Sequence, residues 1–420
     1  MINFEYQLNP EDEWKISSWP WTTIESINSS ILDRKVKFDP KNMTFEDFCR
    51  LRTHMSSLAT SRGIGHRIKI NAKASEASLK HGTSHGIKEL FTAGCPICKR
   101  KGEPIPRHED RFKNVPPGLY CPDCDKAFRS RSIYFYTPVF AVAAGPSLDK
   151  NILQLKRIEG KYPIFCVDTA LPSLQMAGIK PDYMVTVESD PLINEMKFDS
   201  EGITLIANLQ VDYKFRQNWK GPVYLTDTPS LNPRDAKQKM ERHGDIGWAS
   251  VGGNVSSIMF SILCGNYPSY IIFVGHDFSY PHLQNYYPSG GPMSMAPNKQ
   301  VYRTHDIYGD YVYTDASLHG YKSWTEAAIQ VVSKNKLTKF INATEGGILG
   351  ATYYDPKKLI HTKRKLRILK YKINTWLKEK KWPTREEAEE NGFQGSRLKC
   401  IEYITLREAI DKYCPLAIRS

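Results

Sequence analysis

The stretch VFAVAAGPSLDK at residues 139–150 decides how the rest of the chain is interpreted. It is a run of apolar residues that stops abruptly at Gly-Pro-Ser, with an acid close behind. A buried parallel strand followed by a tight turn has this pattern, and such a turn can present backbone N–H groups to an anion. We predict that Gly145 permits the turn and that Ser147 caps the helix that follows.

Similar runs recur on the C-terminal side of this stretch. They are short, rich in Val and Ile, and separated by amphipathic segments, which is typical of parallel strands joined by crossover helices. The sequence therefore predicts an α/β fold with a doubly wound, mainly parallel sheet. The runs are PIFCVDTA (163–170), YMVTVES (183–189), ITLIANL (203–209), PVYLTD (222–227), YIIFVGHD (270–277) and KFINAT (339–344).

Polar residues follow several of these predicted strands. Because the carboxyl ends of parallel strands meet at one edge, where open α/β sheets bind ligands, we expect these residues to converge there. Acids in such positions can hold ribose hydroxyls or a divalent ion that bridges phosphates. Each one singly is also explained as a helix cap or a surface charge. The residues are Asp168, Glu188, Asp190, Asn208, His276 and Asp277.

The chain divides into three predicted regions. Residues 1–135 are polar and basic, with helical spacing at 44–62 and a weakly patterned stretch at 63–86 that is expected to be a loop that orders on a partner. Residues 136–352 carry the α/β pattern. Residues 353–420 form a basic helical C-terminal extension, which fits nucleic acid, a membrane surface or simple packing with a solvated basic face.

Two cysteine pairs form the most specific local motif. CPIC supplies Cys95 and Cys98, and CPDC supplies Cys121 and Cys124. Two such knuckles make a tetrahedral four-sulfur site, which predicts a structural zinc ribbon, with rubredoxin-like iron as the alternative. The zinc either stabilises a polar region that lacks a hydrophobic core, or it positions the basic residues that flank the cysteines against a phosphate backbone.

Charge and composition indicate which partners and which cellular compartment to expect. The formal net charge of +13 and the pI of about 9.1 favour a polyanionic partner or anionic substrates, although basic proteins without either are common. The N-terminus lacks the features of a signal peptide, and no apolar run approaches the roughly 20 residues of a membrane span. We expect a cytoplasmic protein, and a virus-encoded one in host cytoplasm would suit the architecture.

Five motifs in order resemble the MptE-like family over about residues 136–352. They are AAGPSLDKNILQLK, PIFCVDTALPSLQMAGIKPDYMVTVESDP, VGGNVSSIMFSILCGNYPSYIIFVGHDFSYP, YKSWTEAAIQ and FINATEGGILG. That family includes archaeal 6-hydroxymethylpterin diphosphokinases and the motility-associated factors that glycosylate flagellin.

The resemblance implies a Rossmann-like fold and a nucleotide ligand, which is ATP with Mg²⁺ in one branch and a CMP-activated sugar in the other. It places Gly145, Pro146 and Ser147 on the nucleotide-binding turn. Asp168 matches the acid of the second strand, and Asp277 matches a late Gly-X-Asp. The family usually has Asp where this chain has Glu188, which changes the geometry at that position.

The chemistry predicted is transfer from a nucleotide. The chain has no Gly-X-X-X-X-Gly-Lys-Ser/Thr loop, which excludes a Walker-type kinase. Glycosyl transfer to a macromolecular acceptor, with DNA among the candidates, is favoured over a diphosphokinase, and a non-catalytic nucleic-acid-binding protein is a further alternative. His276, Asp277, His305 and His319 are the candidate catalytic residues, and residues 285–306 are expected to form a loop over the site.

Overall fold

The computed structural model describes much of the chain between residues 66 and 418. The described residues are 66–91, 103–104, 119–123, 126–128, 137–196, 199–228, 233–249, 252–266, 268–280, 287–289, 301–334, 338–351 and 398–418. Their strands are β1 His85–Gly86, β2 Glu103–Pro104, β3 Leu119–Cys121, β4 Lys126–Phe128, β5 Pro138–Val142, β6 Ile164–Val167, β7 Tyr183–Thr186, β8 Thr204–Asn208, β9 Val223–Thr226, β10 Tyr270–Val274, β11 Val301–His305, β12 Tyr311–Asp315, β13 Lys339–Asn342 and β14 Ile401–Tyr403.

The α-helices of the described residues alternate with these strands. They are α1 at 66–80, α2 Ile87–Phe91, α3 Leu148–Asn151, α4 Leu171–Met176, α5 Tyr213–Gln217, α6 Pro233–His243, α7 Val255–Gly265, α8 Ala316–Ser333, α9 Leu406–Tyr413 and α10 Pro415–Ile418. The helix at 66–80 corrects the expectation of a loop over 63–86. Its buried positions include Asn71 and Ser75, so the apolar periodicity that predicts a helix is interrupted.

Nine strands form one sheet in the order β1-β9-β8-β7-β6-β5-β10-β13-β14. Every neighbouring pair in it is parallel. The α/β prediction with a parallel sheet is therefore confirmed. The chain proceeds from β5 to β9 in one direction and then returns to place β10 on the other side of β5. This reversal makes the gap between β5 and β10 a topological switch point, where such sheets bind ligands.

The core consists of the strands of this sheet and the helices packed on them. All five residues of β5 and all four residues of β6 are buried, as expected for strands covered on both faces. Helix α7 packs against β6 and β7, and α8 packs against α7. Phe260 of α7 stacks with Phe273 of β10 at 5.8 Å between ring centroids, which fixes α7 on the sheet.

The sheet draws strands from all three predicted regions. β1 lies within residues 1–135 and pairs with β9, while β14 lies within residues 353–420 and pairs with β13. The boundaries at 135 and 352 remain predictions. Residues 353–397 and 419–420 of the basic extension lie outside the described residues, as does the predicted helix at 44–62.

The predicted zinc ribbon also lies largely outside them. Of its four cysteines only Cys121 has a described backbone, at the end of β3 and opposite Lys126 of β4 in an antiparallel pair. Within the described part of the chain, no three His, Cys, Asp or Glu side chains are grouped as metal ligands. Zinc binding stays a prediction. Among the same residues, no helix is both long enough and apolar enough to cross a membrane.

Candidate active site at the strand ends

The turn after β5 is built around the carboxylate that follows β10. The Ser147 N–H donates to Asp277 Oδ2 at 2.9 Å, and the Ser147 hydroxyl donates to Asp277 Oδ1. Ser147 makes no side-chain cap to α3, so the predicted cap is wrong: its hydroxyl is engaged across the switch point instead. An acidic side chain of the protein itself therefore occupies the place in the turn where an anion was predicted.

Gly145 is required at this turn because Asp277 fills the space beside it. A Cβ at Gly145 would lie 2.4 Å from Asp277 Oδ1 and 2.5 Å from the carbonyl oxygen of Gly275. The Gly145 N–H donates to that same carbonyl at 2.8 Å. The turn and the end of β10 are thus locked together, and Pro146 is half-buried between Gly145 and Ser147.

Burial raises the pKa of Asp277 to about 6, although both hydrogen bonds from Ser147 and the charge of Lys150 oppose the rise. Asp306, which follows β11, contributes to the rise through its own negative charge. The pKa of Asp306 is also raised by burial. Lys150 is exposed and donates to the carbonyl oxygen of Glu345 at 3.0 Å. A cation with free access to solvent therefore stands beside two buried acids.

A second acid occupies the ends of β6 and β7. The Thr186 hydroxyl donates to Asp168 Oδ2 at 2.6 Å, and the Thr169 N–H donates to Oδ1 at 2.7 Å. Burial raises the pKa of Asp168 to about 6 despite these bonds, and the charge of Glu188 adds to the rise. Since β5 lies between β6 and β10, the backbones carrying Asp168 and Asp277 are two strand spacings apart, about 10 Å.

The segment Tyr287–Ser289 lies over these strand ends, within the loop predicted at 285–306. Ser289 is held by Asp149, which accepts its N–H at 2.9 Å and its hydroxyl at 2.9 Å. The pKa of Tyr287 is raised by burial and by the charges of Asp168 and Glu188. The loop prediction is supported for these three residues and is wrong at its C-terminal end, where Val301–His305 form β11 and pair antiparallel with β12.

Two non-glycine residues beside Asp277 have left-handed backbones. Phe278 has φ 51° and Glu345 has φ 58°. A Cβ at Gly347, where φ is +71°, would lie 2.3 Å from the Cα of Asp277. Non-glycine residues with φ in this region cost conformational energy and cluster at functional sites. The strained backbone around Asp277 therefore indicates that the switch point is held in one conformation.

The other predicted residues are placed less centrally. Glu188 is exposed and accepts the N–H of Asp190 at 2.8 Å, and Asp190 lies 3.6 Å from Arg67 of α1. Asn208 is buried at the end of β8, where its amide donates to the Thr228 hydroxyl at 3.4 Å. These residues extend the edge away from Asp277 and are not grouped with it.

The three predicted histidines are all buried. His276 lies between Phe273 and Phe278, with ring centroids at 5.0 and 6.1 Å, and burial lowers its pKa to about 3. It therefore faces the core as a neutral ring and not the ligand edge. His305 is in β11 and His319 is in α8, and both are less than a tenth exposed.

Sequence reasoning missed Lys150, Thr186 and Asp306. Lys150 is signalled by its position three residues after the Gly-Pro-Ser turn, and Thr186 by its position as the last residue of a strand, two residues before Glu188. Asp306 stands next to the predicted His305. Its burial beside Asp277 depends on how β11 and β12 fold back, which no local pattern reveals.

These features define an α/β protein with buried polar side chains at a topological switch point. Residues 112–282 match the model of a family described as 6-hydroxymethylpterin diphosphokinase MptE-like. The resemblance to the MptE-like family is thereby confirmed for this segment, which runs from before β5 to just beyond β10.

One solved structure that matches is titled "Structure of MAf glycosyltransferase from Magnetospirillum magneticum AMB-1". The match has a TM-score of 0.37 and 20% sequence identity over 62% of this chain and 39% of that one. This chain thus spans about two fifths of that protein's length. No curated protein matches the sequence.

Proposed function

We propose that the protein is a nucleotide-dependent transferase, and specifically a glycosyltransferase that uses a nucleotide-activated sugar of the CMP type on a macromolecular acceptor. The observation that carries the proposal is the pair of buried carboxyl groups with pKa values raised to about 6, Asp168 and Asp277, on either side of β5. The MptE-like segment contains both of them and supports transferase chemistry.

The roles follow from the geometry. Lys150 is the exposed cation at the switch point and would stabilise the phosphate of the leaving nucleotide. Asp277 is bonded to the turn through both oxygens, so it orders the site around Ser147. Asp168 has a pKa near the working pH, which suits a general base that accepts the proton of the acceptor hydroxyl. Tyr287 would cover the bound donor from the solvent side.

A thermal-shift titration tests the proposal. CMP is expected to raise the melting temperature of the wild-type protein, and Lys150→Met is expected to abolish the rise. Lys220→Met is the matched control because Lys220 is an exposed lysine before β9, at the opposite edge of the sheet. No response to CMP or to ATP with Mg²⁺ would overturn the proposal, as would equal responses in the two variants.

A pterin-type diphosphokinase is the second candidate, favoured by the description of the matching family. Mg²⁺ binds through one or two carboxylates together with phosphate oxygens, and Asp168 with the exposed Glu188 beside it fits that requirement. When bound, the ion would neutralise charge on the transferred group. A melting shift with ATP and Mg²⁺ but not with CMP, lost in Glu188→Gln, would support this candidate.

A further inference from the structure

Helix α1 is fastened across the ends of β7 and β8 by polar contacts to the backbone. The Asn71 amide donates to the carbonyl oxygen of Gln210 at 3.1 Å, and its oxygen accepts the Tyr213 N–H at 3.3 Å. The Ser75 hydroxyl donates to the carbonyl oxygen of Leu209 at 2.7 Å. One face of the helix is therefore packed against the strand ends, and the opposite face is exposed to solvent.

The solvent face carries a stripe of three lysines, which we call the α1 lysine stripe: Lys69, Lys73 and Lys80. At 100° per residue these positions fall within an arc of about 40°, roughly opposite Asn71 and Ser75. All three are exposed, and no acid among the described residues pairs with them. The one acid of the helix, Glu76, lies 3.9 Å from Arg242 of α6, so the stripe keeps its charge.

We propose that the α1 lysine stripe is a docking surface for the sugar–phosphate backbone of nucleic acid. From Lys69 to Lys80 the helix rises by eleven residue steps, or about 17 Å at 1.5 Å per step, which equals about five phosphates along one strand at 3.4 Å each. Lysines act as point charges that position a backbone without reading bases. A bilayer is disfavoured because the other face of α1 is already docked, and a membrane helix needs a free apolar face.

Arg67 is the residue of α1 that reaches the strand ends: it lies one turn before the buried Asn71 and 3.6 Å from Asp190, which follows β7. Lys69 comes two residues after Arg67, about 200° further around the helix, so the stripe lies on the other side of α1 from these strand ends. The inference deepens the proposed function by naming the acceptor class, but binding along the stripe does not require that transfer occurs.

Fluorescence anisotropy with a labelled 20-base-pair duplex, measured from 50 to 300 mM salt, tests the surface. Each lysine that neutralises a phosphate contributes about 0.9 to the slope of log K against log salt, so the triple variant Lys69→Gln, Lys73→Gln, Lys80→Gln is expected to reduce the slope by roughly 2.7. The matched control replaces three exposed lysines near the opposite edge, Lys156, Lys180 and Lys220, with glutamine and is expected to keep the wild-type slope.

The outcomes separate this inference from the proposed function. An unchanged slope in the stripe variant, or no duplex binding by the wild-type protein, overturns the docking surface. Displacement of the duplex by poly-glutamate at equal charge concentration also overturns it in favour of an acidic protein partner. The CMP melting shift measured on the same stripe variant reports folding and the proposed nucleotide site independently, so loss of duplex binding with a retained shift supports the stripe.

Discussion

Replacing Gly145 with alanine tests whether the turn after β5 is closed over the Asp277 carboxylate. The new Cβ would lie 2.4 Å from Asp277 Oδ1, whereas ordinary contacts begin at 3.4 Å, so the overlap is about 1 Å. The carbonyl oxygen of Gly275, at 2.5 Å, blocks the alternative of a small backbone shift because it accepts the Gly145 N–H.

The carboxylate must therefore move and give up its bonds from Ser147. Hydrogen bonds to charged groups contribute roughly 1.5–3 kcal/mol each, so losing two of them predicts a fall in the free energy of unfolding of about 3–6 kcal/mol. The measurement is urea denaturation followed by tryptophan fluorescence.

The control is Gly265→Ala at the end of α7, where a Cβ meets nothing within 4 Å. There alanine is expected to be neutral or to stabilise by up to about 1 kcal/mol, as in any helix. If Gly145→Ala lost less than about 1 kcal/mol, Asp277 would not be packed into the turn, and the account of the switch point would fail.

Three further substitutions test other parts of the structure. The free energy of unfolding of Asp168→Asn, relative to that of wild type, should rise by roughly 2–3 kcal/mol between pH 4 and pH 7. Wild type loses stability over this range because the pKa of Asp168 is raised from 3.8 to about 6 in the folded protein. Parallel stability curves of the two proteins would contradict this. Asn71→Ala should increase hydrogen exchange across residues 66–80 by releasing α1, and unchanged protection would count against the docking bonds. Gly347→Ala should cost more than Gly82→Ala in urea denaturation, since both have φ near +70° but only Gly347 meets backbone within 3 Å; equal losses would refute that packing.

The sequence predicted the sheet and the edge, because both depend on local patterns. The apolar runs identified β5 to β10 and β13, and the first polar residue after a run identified Asp168 and Asn208. The pairing of Ser147 with Asp277 joins residues 130 positions apart and was found only in three dimensions. β1 and β14, with two and three residues, are too short to show any periodicity.

Local sequence patterns were misleading in two places: where polar residues are buried, and where a histidine side chain faces the core. Asn71 and Ser75 bury amide and hydroxyl groups against strand ends, so α1 has no clean apolar stripe. His276 follows β10 like a ligand-edge residue, but its ring packs between two phenylalanines. In both cases the deciding contacts come from distant parts of the chain.

The two outer strands of the sheet, β1 and β14, come from positions more than 300 residues apart in the chain. During synthesis, the outer edge of β13 stays unpaired until residues 401–403 leave the ribosome. In that interval this edge can pair with other nascent chains. Expression of residues 136–352 alone would make both edges permanently bare. Such a fragment is expected to be found in inclusion bodies, whereas the chain through residue 418 would be recovered in the supernatant.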